Sequence, residues 1–293
     1  MTTDLMRPEA LAEAVLESFE RTENPRLKEV LQSLTRHLHA FVAEVDLTFE
    51  EWETAIDFLT RTGHTCDDVR QEFILLSDVL GVSMLVETLN DIETPDATES
   101  TVLGPFHMVE SPKRELGDNV SPSSVGQTCV VHGTVRAEDG TPVPGALVDV
   151  WQADADGFYD VQQPDLQPLG NGRGLFTTDD QGRFAFESIV PAHYPIPTDG
   201  PVGELLAATG RHAYRPAHIH FIVTAPGFRE LTTHIFVDGS EYIDSDAVFA
   251  VKESLIRSFV PCPAGTDNPC GVTGEFVDAQ IDITIHAESD DEN

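Results

Sequence analysis

The chain has 293 residues, of which 51 are Asp or Glu and 17 are Lys or Arg, so its formal net charge at pH 7 is −34. This charge excludes nucleic acid as an expected partner, because phosphate backbones attract clusters of Lys and Arg. No apolar run is long enough to cross a bilayer, and the N-terminus lacks the basic-then-apolar order of a signal peptide. A cytoplasmic protein without a membrane partner is therefore expected.

The strong acidity has two explanations that the sequence leaves open. An acidic, lysine-poor surface fits a protein kept soluble at high salt, where screening relieves the repulsion between its carboxylates. A solvated acidic surface that ends in an acidic tail over residues 288–293 explains the charge equally well.

Residues 1–95 are predicted to form a helical domain. Pro8–Phe19 is a short amphipathic stretch, and Thr48 with Glu51 has the spacing of a capping box at the start of a second helix. Thr65 with Asp68 has the spacing of a further cap, and apolar residues recur at intervals of three and four from Thr65 to Val86, which predicts one long helix there.

The composition of the sequence changes after the helical part. Residues 96–126 are rich in Thr, Ser, Pro and Gly and are predicted to be a connecting loop. From residue 127 to 287 short β-type runs alternate with turn residues, which is typical of an antiparallel β-sandwich. The predicted strands are Cys129–Arg136, Leu147–Gln152, Leu175–Thr178, Arg183–Glu187, Ala217–Thr224, Thr232–Val237 and Gln280–His286. One late helix is predicted at Ser245–Phe259, and the fold class is α+β.

Two histidines in one predicted strand are the strongest chemical signal. Side chains two apart on a strand point to the same face, so His218 and His220 are predicted to stand together on one side of the sheet. Ile219, Phe221 and Val223 then pack on the other side. Neutral imidazole is the commonest metal ligand in proteins, and this pair could hold one ion.

The residues alone do not determine the remaining ligands of such an ion. Tyr159 and Tyr194 lie in irregular loops beside strands, and two phenolates with two imidazoles suit trivalent iron. Asp160 or Asp199 could instead complete a two-histidine, one-carboxylate site for Fe(II) or zinc. A third interpretation is a non-catalytic β-sandwich binding module, although it does not explain the tyrosine loops and the histidine pair.

Three separated segments resemble the intradiol ring-cleavage dioxygenases, in the order and spacing of that family. They are Asp156–Asp160, Tyr194–Gly203 and Tyr214–Phe221, and the resemblance runs from the N-terminal helices to near Ile285. It implies a β-sandwich catalytic domain with Fe(III) as the cofactor. The implied iron ligands are Tyr159, Tyr194, His218 and His220, and the implied catalytic residues are Tyr194 and Arg215, the latter over the substrate ring.

The segments Phe73–Asp78, Glu99–Phe106 and Leu231–Gly239 most resemble family members that act on hydroxyquinol, whereas catechol enzymes tend to carry Gln where this chain has His234. Leu103 departs from the aromatic residue expected at its position, so catechol and chlorocatechols stay as alternative substrates. Asp78 is either an acceptor for a third hydroxyl or an exposed helix residue. The implied substrate-binding residues are Leu75, Asp78, Val102, Leu103, Gly104, Phe106, Ile196, Pro197 and Val248.

The resemblance also implies a reaction and partners. Hydroxyquinol is cleaved by O2 between two neighbouring hydroxyl-bearing carbons, giving 3-hydroxy-cis,cis-muconate or its tautomer maleylacetate. In this reaction Tyr194 accepts a substrate proton and Arg215 stabilises developing negative charge. A homodimer through the N-terminal helices, with phospholipid as a further partner, is implied as well. The apolar faces of residues 8–60 fit either helix pairing or packing on the sandwich.

Overall fold

The computed structural model describes residues 8–67, 70–91, 97–104, 106–107 and 110–288. The chain divides into two compact units, Met1–Arg61 and Thr62–Asn293. None of the helices in these ranges combines the length and the apolar character that a bilayer crossing requires. The α-helices are α1 Pro8–Ser18, α2 Pro25–Glu44, α3 Phe49–Thr65, α4 Glu72–Val79, α5 Val82–Asn90 and α6 Pro201–Ala208.

Local capping explains where the first helices begin. The side chain of Asn24 accepts the backbone N–H of Leu27 at 3.0 Å ahead of α2, whose first residue is a proline. The capping box predicted for α3 is confirmed: Thr48 N–H donates to Glu51 at 2.9 Å, and Glu51 N–H donates to Thr48 at 3.3 Å.

The single long helix predicted from Thr65 to Val86 is wrong. Helix α3 ends at Thr65, α4 begins at Glu72, and the predicted cap residue Asp68 lies outside the described residues. Gly81 separates α4 from α5 because its φ of 72° is left-handed and ends the helical backbone. The spacing of apolar residues persists across the break, so periodicity alone could not reveal it.

The described residues then form twelve strands, in two larger sheets and one two-stranded sheet. One sheet has the order β10-β11-β1-β12 with β4 on β1, the other has the order β3-β2-β7-β8-β9, and β5 pairs with β6. The strands are β1 Thr128–Ala137, β2 Leu147–Gln152, β3 Arg173–Thr177, β4 Arg183–Ile189, β5 Tyr194–Pro195, β6 Tyr214–Arg215, β7 His218–Thr224, β8 Leu231–Val237, β9 Ile256–Arg257, β10 Val260–Cys262, β11 Phe276–Gln280 and β12 Ile283–Ile285.

The helical region followed by β-sheets confirms the predicted fold class, with one correction to strand direction. Strand β1 runs parallel to β11 and β12, and β8 runs parallel to β9, whereas the other paired strands are antiparallel. The sheets are therefore mixed. Long returning connections place the last strands beside β1 in the parallel sense, which a list of short strands does not reveal.

The sandwich core lies between the two larger sheets. Val131 and Phe186 from one sheet share a buried apolar cluster with Val150, Ile219 and Phe221 from the other. The alternation of β7 therefore buries Ile219, Phe221 and Val223 in the core, as predicted. Its two histidines are left on the opposite face, and that face carries the candidate site.

The helix predicted at Ser245–Phe259 is wrong. The segment is irregular apart from a 3-10 turn at Glu253–Leu255 and strand β9. The carboxylate of Asp246 accepts the backbone N–H groups of Val248 at 3.3 Å and Ala250 at 3.1 Å, and Phe249 has a φ of 60°. A side chain that binds its own following backbone competes with the helical hydrogen bonds.

Two further elements differ from the expectation. The strand predicted at Gln280–His286 is interrupted between β11 and β12, where the side chain of Asp282 accepts the backbone N–H of Thr134 at 3.0 Å. Helix α6 was missed, although Gly200 followed by Pro201 is a start signal.

Candidate metal centre and substrate cleft

His218 and His220 stand side by side on β7, and their Nε2 atoms are 3.1 Å apart. Both side chains are about 1% exposed. The Nδ1 atom of His218 lies 2.7 Å from the carbonyl oxygen of Pro216, so it donates its hydrogen there and the lone pair is on Nε2. Burial, followed by the nearby charge of Arg215, holds the pKa of His218 well below its usual value. A neutral imidazole of this kind has a free nitrogen lone pair with which it can bind a metal ion.

Tyr159 and Tyr194 reach the histidine pair from two different segments. The Tyr159 hydroxyl is 3.0 Å from Nε2 of His220 and 3.3 Å from the Tyr194 hydroxyl. Tyr194 lies in β5, directly opposite Arg215 in β6. Gly157 lets the two segments approach, since its φ is 86° and a Cβ there would lie 3.0 Å from both His193 O and Tyr194 Cβ. The structure thus brings all four predicted ligands together.

These four donor atoms fit a metal ion. Donors bound about 2.1 Å from one cation at right angles lie roughly 3 Å apart, which matches the separations of 3.0 to 3.3 Å found here. Burial, followed by the neighbouring Tyr194, raises the pKa of Tyr159 well above its usual value. A buried phenolate therefore requires a compensating positive charge, which a trivalent ion supplies.

The carboxylate alternatives are engaged elsewhere. Asp160 is buried, with one oxygen 2.8 Å from Arg173 and the other accepting the backbone N–H of Gly170 at 2.7 Å. Asp199 has a side chain that is 76% exposed and forms an ion pair with Arg70 at 2.9 Å. Neither carboxylate joins the histidines, so a two-histidine, one-carboxylate site is not formed.

Arg215 is fully buried beside this centre and is held by one carboxylate. Its Nε lies 3.2 Å from Oδ1 of Asp246, and Nη2 lies 3.5 Å from Oδ2. Burial works against the charged guanidinium, but Asp246 and the two tyrosine oxygens outweigh it and raise the pKa of Arg215. The same carboxylate fixes the backbone of Val248 and Ala250, so it orients the loop and the cation together.

A cleft with a volume of about 490 Å³ opens beside the centre, and Leu75, Phe106, Ile196 and Pro197 of the predicted substrate set line it. Phe106 stacks on Tyr159 with ring centroids 4.5 Å apart and meets Tyr194 edge-on at 6.0 Å, so the cleft wall touches the ligand set. A larger cavity of about 910 Å³ is bordered by Arg211, His212 and residues 243–256, but none of the four donors lines it. The smaller cleft is therefore the candidate substrate site.

The other predicted pocket residues lie at various depths. Val102 and Val248 are buried in one apolar cluster with Leu75 and Ile196. A Cβ added at Gly104 would come within 3.0 Å of the His220 ring, so this glycine permits close packing on a candidate ligand. Leu103 is 43% exposed and does not line the cleft.

Asp78 is a buried carboxylate on α4, not an exposed helix residue, with 3% of its surface accessible. Burial raises its pKa, while Ser83 and the charge of Arg215 act in the opposite direction. The electrostatic contact with Arg215 brings this carboxylate into the neighbourhood of the centre. Asp78 is not among the residues that line the cleft.

Two family profiles match the chain. The profile described as "Dioxygenase" covers residues 104–278, which is more than half of the chain, and that described as "Catechol dioxygenase N terminus" covers residues 24–98. The chain belongs to the intradiol ring-cleavage dioxygenase family.

Relatives of this intradiol dioxygenase agree with the assignment over nearly the whole chain. It is 52% identical to hydroxyquinol 1,2-dioxygenase of Nocardioides simplex, over 95% of this chain and 95% of that protein. It is also 52% identical to 6-chlorohydroxyquinol 1,2-dioxygenase of Cupriavidus pinatubonensis, over 87% of this chain and 92% of that protein. The crystal structure of hydroxyquinol 1,2-dioxygenase from Pseudomonas putida matches with a TM-score of 0.90 at 48% identity, covering 96% and 99% of the two chains.

Family membership makes this chain an enzyme, and it sets aside the binding-module and zinc-hydrolase readings. The family match also agrees with the histidine cluster, which could hold a metal ion. An intradiol dioxygenase acts on an aromatic diol and O2.

Several side chains support the centre of this dioxygenase in ways that the sequence did not predict. Trp151 on β2 is paired with His220 and stacks on its ring at 4.4 Å. His234 on β8 is paired with His220 from the other side, with rings 4.1 Å apart, and its Nδ1 contacts Thr101. Arg173 joins Asp160 to the carbonyl of Phe106 at 2.9 Å. Strand register brings Trp151 and His234 beside His220, so their contacts with its ring are not evident from the local sequence.

Proposed function

We propose that this intradiol dioxygenase cleaves hydroxyquinol with O2 between the two carbons that carry neighbouring hydroxyls. Both oxygen atoms enter the product, 3-hydroxy-cis,cis-muconate, which tautomerises to maleylacetate. The observation that carries the proposal is the convergence of two imidazole nitrogens and two phenol oxygens within 3.0 to 3.3 Å of their neighbours. The hydroxyquinol enzymes at 52% identity support the choice of substrate. The alternative substrates are catechol and chlorocatechols.

Tyr159, Tyr194, His218 and His220 would hold ferric iron. When bound, this ion supplies a Lewis acid that stabilises the deprotonated diol and makes its ring reactive toward O2. The neutral imidazoles and Tyr159 act as fixed anchors, because Trp151 stacks on His220 and Phe106 stacks on Tyr159. A rigid supporting layer of this kind preserves the positions of the donors during turnover.

Tyr194 is the proposed proton acceptor at its hydroxyl oxygen. Burial raises the pKa of Tyr194, and the charge of Arg215 opposes that rise. Once in the anionic form, Tyr194 can therefore take a proton from a substrate hydroxyl readily. Its backbone stays anchored by pairing with β6 when the side chain moves.

Arg215 is the proposed electrostatic stabiliser of negative charge on the substrate. The guanidinium stays protonated, is 1% exposed, and is oriented in advance by Asp246. Preorganised donors in a water-poor site are worth more than the same donors in bulk water. The apolar walls formed by Leu75, Phe106 and Ile196 keep water away from the ring.

The test of the function is a visible spectrum with metal analysis, before and after anaerobic addition of hydroxyquinol, followed by O2 uptake. We expect stoichiometric iron, a broad visible band from ferric tyrosinate that moves to longer wavelength with substrate, and turnover of hydroxyquinol. A protein that stays colourless after reconstitution with iron would contradict the proposed centre. Turnover of catechol in preference to hydroxyquinol would contradict only the proposed choice of substrate.

Asp78 is the proposed acceptor for the third hydroxyl of hydroxyquinol. We expect Asp78→Ala to lower kcat/KM for hydroxyquinol about 10-fold or more, since a hydrogen bond to a charged group is lost, and to change catechol turnover much less. Gln71→Ala, at an exposed polar residue that lines the cleft, is the control. An equal loss on both substrates would remove Asp78 as a specificity element.

The proposed assembly is a homodimer through the N-terminal helices, and a lipid chain is a proposed further ligand of that region. Helix α2 supports this with an exposed apolar stripe at helical spacing, formed by Leu27, Val30, Leu34, Leu38 and Phe41.

The proposed domains are 1–95 for dimerisation, 96–126 as the connection, 127–287 for catalysis and 288–293 as an acidic tail. The proposed location is the cytoplasm.

A further inference from the structure

Arg70 marks the rim of the substrate cleft. Among the described residues that line this cleft, it is the one with a positively charged side chain, and Glu72 and Asp199 line it as well. The side chain of Arg70 is 25% exposed, so it is partly accessible to solvent. Because the chain has a net charge of −34, a cation at the rim of the cleft is opposite in charge to the protein as a whole.

The two carboxylates that pair with Arg70 are held very differently. Glu72 is 0% exposed, lies 2.9 Å from Arg70, and accepts the backbone N–H of Val202 at 3.1 Å. Asp199 lies 2.9 Å from Nη1 of Arg70, but its side chain is 76% exposed. The pair with Glu72 is therefore a fixed part of the fold. The pair with Asp199 is solvated and contributes little stability, so another carboxylate can replace it.

The proposed reaction changes the charge of the molecule in the cleft. Phenolic hydroxyls with pKa values near 10 leave hydroxyquinol largely neutral at pH 7, whereas the ring-opened product carries two carboxyl groups that are ionised at that pH. The product is thus a dianion inside a strongly acidic protein. A guanidinium matches a carboxylate in charge and in its paired donor geometry.

We propose that Arg70 is a product-binding residue, which takes one carboxylate of the muconate in exchange for Asp199 as the product leaves the cleft. This inference rests on the proposed function, because only ring cleavage creates the two carboxylates. The exchange replaces one anion on Arg70 by another, so Glu72 keeps its buried partner throughout. Asp199 then recovers Arg70 when the product diffuses away, and this competition limits product inhibition.

The test measures inhibition by cis,cis-muconate and its binding by calorimetry, using the iron-loaded full chain. Asp199→Asn removes the competing anion and keeps the pair between Arg70 and Glu72, so we expect muconate to inhibit about 5-fold more strongly. Arg70→Gln removes the cation, and we expect inhibition at least about 10-fold weaker. The neutral dimethyl ester of muconate should bind all three proteins equally.

Glu230→Gln is the matched control, because Glu230 is an exposed acid that lines a different cavity and its replacement changes the net charge equally. If Glu230→Gln strengthened inhibition as much as Asp199→Asn, the effect would come from net charge and the inference would be overturned. Unchanged muconate binding in Asp199→Asn would overturn it as well, even if Arg70→Gln failed to fold. A wild-type protein that binds muconate but does not turn over hydroxyquinol would refute the proposed function instead.

Discussion

Replacing Tyr159 by Phe is expected to weaken and shift the visible absorption of the iron-loaded protein, because Tyr194 is then its one proposed tyrosinate, and to lower its iron affinity at least about 100-fold. Tyr159 contributes the phenol oxygen that lies 3.0 Å from Nε2 of His220 and 3.3 Å from the hydroxyl of Tyr194. The phenyl ring of the variant keeps the stacking on Phe106, so the fold is preserved while one anionic donor is lost. Metal analysis, the visible spectrum and a thermal melt of the metal-free protein measure the three effects separately.

Tyr242→Phe is the control for this variant. Tyr242 stacks on Tyr214 with ring centroids 4.6 Å apart and has no contact with the four proposed ligands among its described neighbours. Its loss should leave both the band and the iron content unchanged. If Tyr159→Phe kept the wild-type spectrum and iron content, the proposed ligand set would be wrong.

Removing the carboxylate of Asp160 is expected to destabilise the protein by about 3–5 kcal/mol, because it leaves the guanidinium of Arg173 buried without a countercharge. Both side chains are almost inaccessible, at 0% and 1% exposure, and are 2.8 Å apart. For a domain of this size the loss corresponds to a melting temperature roughly 10 °C lower. Urea unfolding of Asp160→Ala measures the change. Activity should fall as well, because Arg173 also holds the carbonyl of Phe106.

An exposed ion pair provides the comparison. Asp57 and Arg61 are 2.9 Å apart, with side chains 69% and 41% exposed, and Asp57→Ala should cost no more than about 0.5 kcal/mol. The double variant Asp160→Leu with Arg173→Met should recover stability relative to Asp160→Ala, since no unpaired charge remains buried. An Asp160→Ala protein as stable as Asp57→Ala would show that the buried charge is compensated in another way.

Much of the candidate site follows from local rules of sequence. The alternation of β7 places His218 and His220 on one face and the core residues on the other, because a strand has a period of two whatever surrounds it. The capping box ahead of α3 is equally local. The family motifs named Tyr159 and Tyr194, whereas the residues by themselves left Asp160 and Asp199 as competing ligands.

Tertiary structure decided what depends on distant partners. Arg173 pairs with Asp160, and Arg70 pairs with Asp199. Neither ion pair can be recognised from the spacing of residues in the sequence. The irregular loop in place of a helix at Ser245–Phe259 arises because Asp246 binds both Arg215 and its own backbone.

By itself, the sequence determined the family, the α+β class and the face that carries the histidines, since these depend on periodicity and on motifs of contiguous residues. The tertiary structure decided the mixed strand directions, the break at Gly81, the buried state of Asp78 and the packing of Trp151 and His234 on His220. Those features depend on register and long-range contact. Chain segments far apart in sequence meet only when burial of their apolar faces brings them together.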